Sequence, residues 1–138
     1  MTAQSWILLL VAITVGVACS ESDLRQVKPE RTRDADGIIK LYRNKKQGDW
    51  MLKGKVILVT SAIITELGNK GRTAIVTGRK SLSPIPIVIS FSQHEKLGKR
   101  LLSGDNVTFK GLCVGMDQAI RFDSCILIST TRQTPGNS

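Results

Sequence analysis

From Trp50 onward, apolar positions recur in short alternating runs separated by glycine-containing turns. Residues 51–66 are rich in β-branched side chains, and Leu52, Gly54, Val56 and Leu58 alternate with Lys53, Lys55, Ile57 and Val59. A period of two predicts a strand with one face in a core and the other partly wet. Gly54 inside it predicts a bend or bulge. After the turn Gly68-Asn69-Lys70-Gly71, residues 72–77 and 86–91 read as second and third strands, with Ile85, Ile87 and Ile89 on one parity. Residues 106–115 predict a fourth strand with Val107, Phe109, Gly111 and Cys113 on one face, and residues 120–129 a fifth.

Two segments follow a different period. Ile38, Leu41 and Tyr42, spaced i, i+3, i+4, predict a short helix over residues 37–47. Lys45 and Lys46 suit its last turn, and Gly48 is a plausible stop. Residues 92–102 predict a second short helix, with Ser92 as cap, Glu95 three residues later and Leu97, Leu101 and Leu102 on its apolar side. Three strands, a helix and two strands is the order of the OB-fold. The expectation is an all-β domain, a five-stranded OB-fold Greek-key barrel with an N-terminal helix.

The N-terminus reads as an address. Residues 6–18 are almost wholly apolar and uncharged. The run is shorter than the roughly 20 residues a spanning helix needs, but it suits the apolar part of a secretory signal. Small residues stand at Gly16 and Ala18, although no Lys or Arg precedes the run. The ending Gly16-Val17-Ala18-Cys19-Ser20 resembles a bacterial lipoprotein signal, with Gly16 where Leu is usual. That resemblance implies lipidation of Cys19, which becomes the new N-terminus. Plain secretion and an uncleaved anchor are the alternatives. Residues 19–36 are polar, contain Pro29 and lack apolar periodicity, so they read as a tether. The expected layout is a signal at 1–18, a tether at 19–36, the OB-fold domain at 37–129 and a disordered tail at 130–138.

Charge changes the picture next. Twenty Lys and Arg against 11 Asp and Glu give a formal net charge of +9. That balance points to an anionic partner, or simply to a basic surface. Lys53, Lys55, Arg72, Arg79, Lys80, Lys110 and Arg121 lie on or beside predicted strands. OB barrels usually take ligands on the face of the second and third strands and the neighbouring loops. Arg79 and Lys80, just before the third strand, therefore lead the candidate ligand-binding set.

Aromatic residues make up only 4% of the chain. Trp6 leaves with the signal, Tyr42 reads as helical and Phe109 as inward-facing. Trp50, Phe91 and Phe122 remain, a small set for the stacking platform that single-strand binders use. Phe91 joins the candidate surface. An exported protein also rarely meets nucleic acid. The expected partner is an envelope protein, a glycan or another anionic ligand, with the membrane reached through the N-terminal lipid. Single-stranded nucleic acid is the alternative.

Catalytic signals are weak. His94 is the only histidine, and no carboxylate pair, P-loop or dinucleotide fingerprint occurs. Neither enzymatic activity nor a cofactor is expected. Cys113 and Cys125 fall on strands expected to form a hairpin. A three-residue loop at residues 118–120 places them opposite each other, whereas a two-residue turn at Asp117-Gln118 opposes Cys113 to Phe122. A disulfide in the first register contributes at most about 3 kcal/mol. No tight Cys-x-x-Cys pair favours a metal. Asn106-Val107-Thr108 fits a glycosylation sequon at a strand start, which a bacterial source leaves unused.

Several stretches together resemble the tRNA_anti-like family. These are Leu41-Tyr42-Arg43-Asn44, Lys53-Gly54-Lys55-Val56 and Val59-Thr60, then Gly104 through Gly115, then Asp123-Ser124-Cys125-Ile126-Leu127. The resemblance covers about residues 37–128. Members of that family are OB-fold proteins, often small bacterial lipoproteins, so the resemblance implies that fold and location. Two positions depart from the pattern. Ser61 replaces a common Gly, and residues 87–91 lack a Cys that members often carry. The family name rests on likeness to nucleic-acid-binding domains, and fold does not fix function.

Overall fold

A computed structural model describes residues 24–80, 85–93, 95 and 101–132. The predicted signal, Cys19, His94, most of the predicted helix over 92–102 and residues 133–138 lie outside the described residues.

Part of the predicted tether is ordered. A 3-10 turn at Leu24–Gln26 buries Leu24, and strand β1 (Arg31–Asp34) follows. β1 pairs in parallel with β2 (Val56–Gly68), Arg31 against Ile57 and Asp34 against Thr60. A ladder partner supplies what the polar sequence lacks, so apolar periodicity is not required there.

The single predicted helix is two. Helix α1 (Ala35–Leu41) starts at Asp34, whose Oδ1 accepts the Gly37 N–H at 2.8 Å. Helix α2 (Lys45–Leu52) starts at Asn44, whose side chain accepts the Gln47 N–H at 3.3 Å. Each cap satisfies an otherwise orphaned donor. Gly48 is therefore not a stop. It lies buried inside α2, where the Tyr42 ring occupies the space a Cβ would need. α2 extends through Met51 and Leu52, so the first barrel strand begins at Val56 rather than at residue 51.

The barrel adds β3 (Thr73–Thr77), β4 (Ile87–Phe91), β5 (Asn106–Met116) and β6 (Ile120–Thr131). Its order is β2-β3-β4-β6-β5, and β5 pairs back onto β2 to close it. β4 and β6 run parallel, and the other barrel pairs are antiparallel. This is a closed five-stranded all-β barrel of the OB-fold-like class with two short helices. Within the barrel β2 serves two neighbours, β3 and β5, by bending. Its pairing with β5 slips between Val59 and Ala62, and Ser61 there has φ 53°. Left-handed backbone is what glycine supplies most readily, and here a serine adopts it at the bulge.

The inward parity is that of Ile57 and Val59, then Ala62 and Ile64 after the bulge, all under 2% exposed. Val107, Phe109 and Cys113 face the same core, as their alternation predicts. Phe109 and Phe122 pack edge to face at the centre, ring centroids 5.7 Å apart. Ala35, Ile38, Ile39, Tyr42 and Leu52 join that cluster, so the helices and the barrel share one core. β6 runs past residue 129, because Thr130 and Thr131 pair with Val107 and Asn106.

Candidate functional site

Ladder register decides which side chains share the outer face of β3, β4 and β6. Ile75 pairs with Val88, and Val88 with Arg121. Thr73 pairs with Ser90, and Thr77 with Ile63. Alternation then sets Thr73, Ile75, Thr77, Val88, Ser90 and Arg121 outward. The surface consists of branched aliphatic and hydroxyl side chains around one guanidinium.

The predicted ligand set does not converge there. Phe91 is only 6% exposed and belongs to the core, because its parity on β4 matches Ile87 and Ile89. Lys110 is 8% exposed, and its Nζ donates to the carbonyls of Val27 at 2.7 Å and Arg25 at 3.3 Å. It fastens the N-terminal turn to β5 and is unavailable to a ligand. Lys55 Nζ donates to the Met51 carbonyl at 3.0 Å, at the end of α2. Arg121 Nε lies 3.3 Å from Asp117 Oδ1. Arg72 is half-buried, with its carbonyl accepting the Phe91 N–H at 2.8 Å.

Arg79 and Lys80 are exposed just beyond β3. Their backbone is held in place: the Asp36 carboxylate accepts the Lys80 N–H at 3.1 Å and sits where a Cβ on Gly78 would be. Lys53 is exposed, and its aliphatic stem lies against Gly115. Trp50, 77% exposed on α2, is the one aromatic side chain on the surface among the described residues.

One polar network ties α2 to β5. The Tyr42 hydroxyl donates to Asp49 Oδ1 at 2.9 Å and lies 3.5 Å from Cys113 Sγ, while Lys45 Nζ donates to Asp49 Oδ2 at 3.0 Å. Burial pushes the Asp49 pKa up, but hydrogen bonds from Lys45 and Tyr42 outweigh it and hold the carboxyl below its ordinary value. Burial also raises the Cys113 thiol, and burial raises Cys125 further. Neither sulfur is poised as a thiolate nucleophile.

The hairpin register settles the cysteine pair. Cys113 stands against Phe122, and Cys125 against Phe91. Both are free and buried, so the predicted disulfide is absent. Cys125 Sγ instead fills the space beside Gly111, 2.6 Å from where a Cβ would sit. Alkylation in denaturant without reductant is expected to label Cys113 and Cys125 fully, while native protein reacts slowly at both. A mass two hydrogens short, with neither residue labelled, would restore the disulfide.

Two clefts lined by described residues flank the barrel. One, of about 780 Å³, is lined by Leu101, Leu102, Leu127, Ile128 and Arg132. The other, of about 500 Å³, lies between β1 and the helices and is lined by Thr32, Arg33, Asp34, Lys40, Leu41 and Gln47. Among the described residues no three His, Cys, Asp or Glu side chains converge as a metal site, and no helix is long and apolar enough to cross a membrane. No family model, curated protein or solved structure matches the chain.

Proposed function

We propose that this chain is a lipid-anchored, non-catalytic OB-fold binding module of the bacterial cell envelope, of the tRNA_anti-like kind, whose partner is a protein or another anionic ligand rather than nucleic acid. The outer face of β3, β4 and β6 carries the proposal: it presents Thr73, Ile75, Thr77, Val88, Ser90 and Arg121. Base stacking on an aromatic is worth about 1–3 kcal/mol per base. A face of threonine, isoleucine and valine offers no such platform. The basic residues at Lys55, Lys110 and Arg121 are occupied by the protein's own acceptors, which supports a structural use of much of the positive charge.

Fluorescence anisotropy with labelled single-stranded oligonucleotides tests the partner class. Binding is expected at low salt only, since a few phosphate contacts weaken steeply with salt. Binding that persists near physiological salt and falls on Arg79→Ala or Lys80→Ala would overturn the proposal in favour of nucleic acid. The anchor is tested separately. Cys19→Ser is expected to move the protein from the membrane fraction to the soluble fraction, and unchanged fractionation refutes lipidation.

A further inference from the structure

The ordered N-terminal turn leaves only a short leash to Cys19. Leu24 is buried, and Lys110 Nζ ties the carbonyls of Arg25 and Val27 to β5. Cys19 stands five residues before Leu24. A chain spans at most about 3.5 Å per residue, so Cys19 lies within about 18 Å of Leu24. A domain of about 100 residues has a radius of gyration of about 13 Å, so that leash is shorter than such a domain is wide. A lipid on Cys19 therefore selects which face of the domain meets the bilayer. It is the face that carries the turn at Leu24–Gln26.

The 780 Å³ cleft lies at that face. Glu95 joins the two, because its Oε2 accepts from Arg25 Nη2 at 3.2 Å and from the Leu127 N–H at 3.3 Å. Leu127 lines the cleft with Leu101, Leu102, Ile128 and Arg132. Leu102 is 49% exposed and Ile128 52%. Val27, whose N–H closes the turn onto the Leu24 carbonyl at 3.0 Å, is exposed as well, and so is Lys28 after it. Exposed apolar side chains beside cations suit the boundary between acyl chains and anionic headgroups. Arg25 and Arg132 are paired with Glu95 and Asp105, so apolar contact outweighs charge in this surface.

We propose that this cleft is the membrane-contacting surface of the domain, where Leu102 and Ile128 insert at the acyl–headgroup boundary of the bilayer that holds the Cys19 lipid. The inference rests on the lipid-anchored reading above and adds the orientation of the domain. The leash keeps the bilayer at high effective concentration beside the cleft, so a partner arriving from solution competes poorly for it. Along β6, Arg121 lies seven residues before Ile128, roughly 23 Å away. The Arg121 end of the outer face of β3, β4 and β6 thus stands off the membrane, where a partner reaches it.

The test uses the full chain, produced as a lipoprotein, in vesicles of phosphatidylethanolamine and phosphatidylglycerol whose acyl chains carry bromine, a short-range quencher of tryptophan. With Trp6 removed along with the signal, Trp50 is the one tryptophan. It stands on α2, which packs near Gly115 of β5, whereas the cleft lies where Val107 of β5 pairs with Thr130. Combining Trp50→Phe with Ile128→Trp moves the reporter to the cleft. Brominated lipid is expected to quench the cleft reporter at least twofold and Trp50 of the parent chain much less. Hydrogen exchange of the unaltered chain serves if the variant misfolds: amides of residues 127–130 are expected to exchange more slowly on vesicles than in the Cys19→Ser chain in solution. A chain that floats with the vesicles while the cleft reporter stays unquenched, while Trp50 is quenched as strongly, or while those amides exchange equally, overturns the orientation and leaves the anchored reading standing. Blue-shifted emission without quenching overturns it in favour of a cleft filled by the chain's own lipid. A chain that neither floats with the vesicles nor carries lipid mass on Cys19 removes the underlying reading, and the inference with it.

Discussion

Gly48→Ala is expected to destabilise the protein by about 2 kcal/mol, against the usual sign of that substitution. Alanine is normally favoured over glycine within a helix by about 1 kcal/mol. Here the added methyl would lie 2.6 Å from Cγ and Cε1 of Tyr42. The ring has little room to yield, because Tyr42 is 1% exposed and its hydroxyl donates to Asp49 Oδ1 at 2.9 Å. Overpacking therefore outweighs propensity. Urea unfolding followed by circular dichroism reads the effect as a lower midpoint at unchanged slope. In a Tyr42→Leu background the same glycine substitution is expected to cost much less, because the blocking ring is gone. A double-mutant cycle isolates that coupling. A midpoint that stays the same or rises in the wild-type background would show that the ring moves aside freely.

Gly48 also shows how a residue can be read correctly in type and wrongly in place. Its helix-breaking character was visible, but the reason for a glycine lay in a tertiary contact with Tyr42. Asp34 and Asn44 each cap a helix, and nothing local in the sequence says that the chain breaks at Tyr42 between the two. The strands were legible because parity is a local signal. Val107, Phe109 and Cys113 alternate in the sequence and all face the core. β1 carries no such signal: Arg-Thr-Arg-Asp has no apolar member, and its place comes from a ladder with a distant strand.

The candidate site was less legible than the fold, for a related reason. A lysine in a sequence shows its charge but not its acceptor. Lys110 looked like a surface cation, yet its ammonium caps two carbonyls more than 80 residues away in the chain. Phe91 had the right parity for the core, and its aromatic character alone drew it into the surface set. For Cys113 and Cys125 both registers were open in the sequence. The slips between Lys110 and Leu112 and between Cys113 and Gly115 fix the observed one, and such slips depend on Gly115 at φ 113° and Ser124 at φ 54°.

Asp105→Asn is expected to cost about 2–3 kcal/mol near neutral pH, the scale for lost hydrogen bonds to a buried charged group. Asp105 is 1% exposed. Its carboxylate accepts from the Leu102 N–H at 2.8 Å and from Arg132 at 3.1 and 3.3 Å. Its carbonyl accepts the Ile64 N–H at 2.9 Å, so the side chain anchors the turn into β5, the end of β6 and the bend of β2 together. Asparagine keeps one acceptor oxygen but loses the charge and the bidentate contact with Arg132. The pH dependence gives a second readout. Burial alone raises the Asp105 pKa, but hydrogen bonds from Arg132 and Leu102 outweigh burial and hold it below the ordinary 3.8. A carboxyl depressed in the folded state contributes its stability above the unfolded pKa, about 3.9 for Asp, and loses it as pH falls through the folded value. The gap between wild type and Asp105→Asn should therefore be fully open at neutral pH and narrow only below about pH 4. Urea midpoints measured from neutral to acid pH check both halves. A constant gap down to strong acid would mean that the carboxylate contributes by its shape alone, and no gap at neutral pH would mean that Arg132 and Leu102 find other partners.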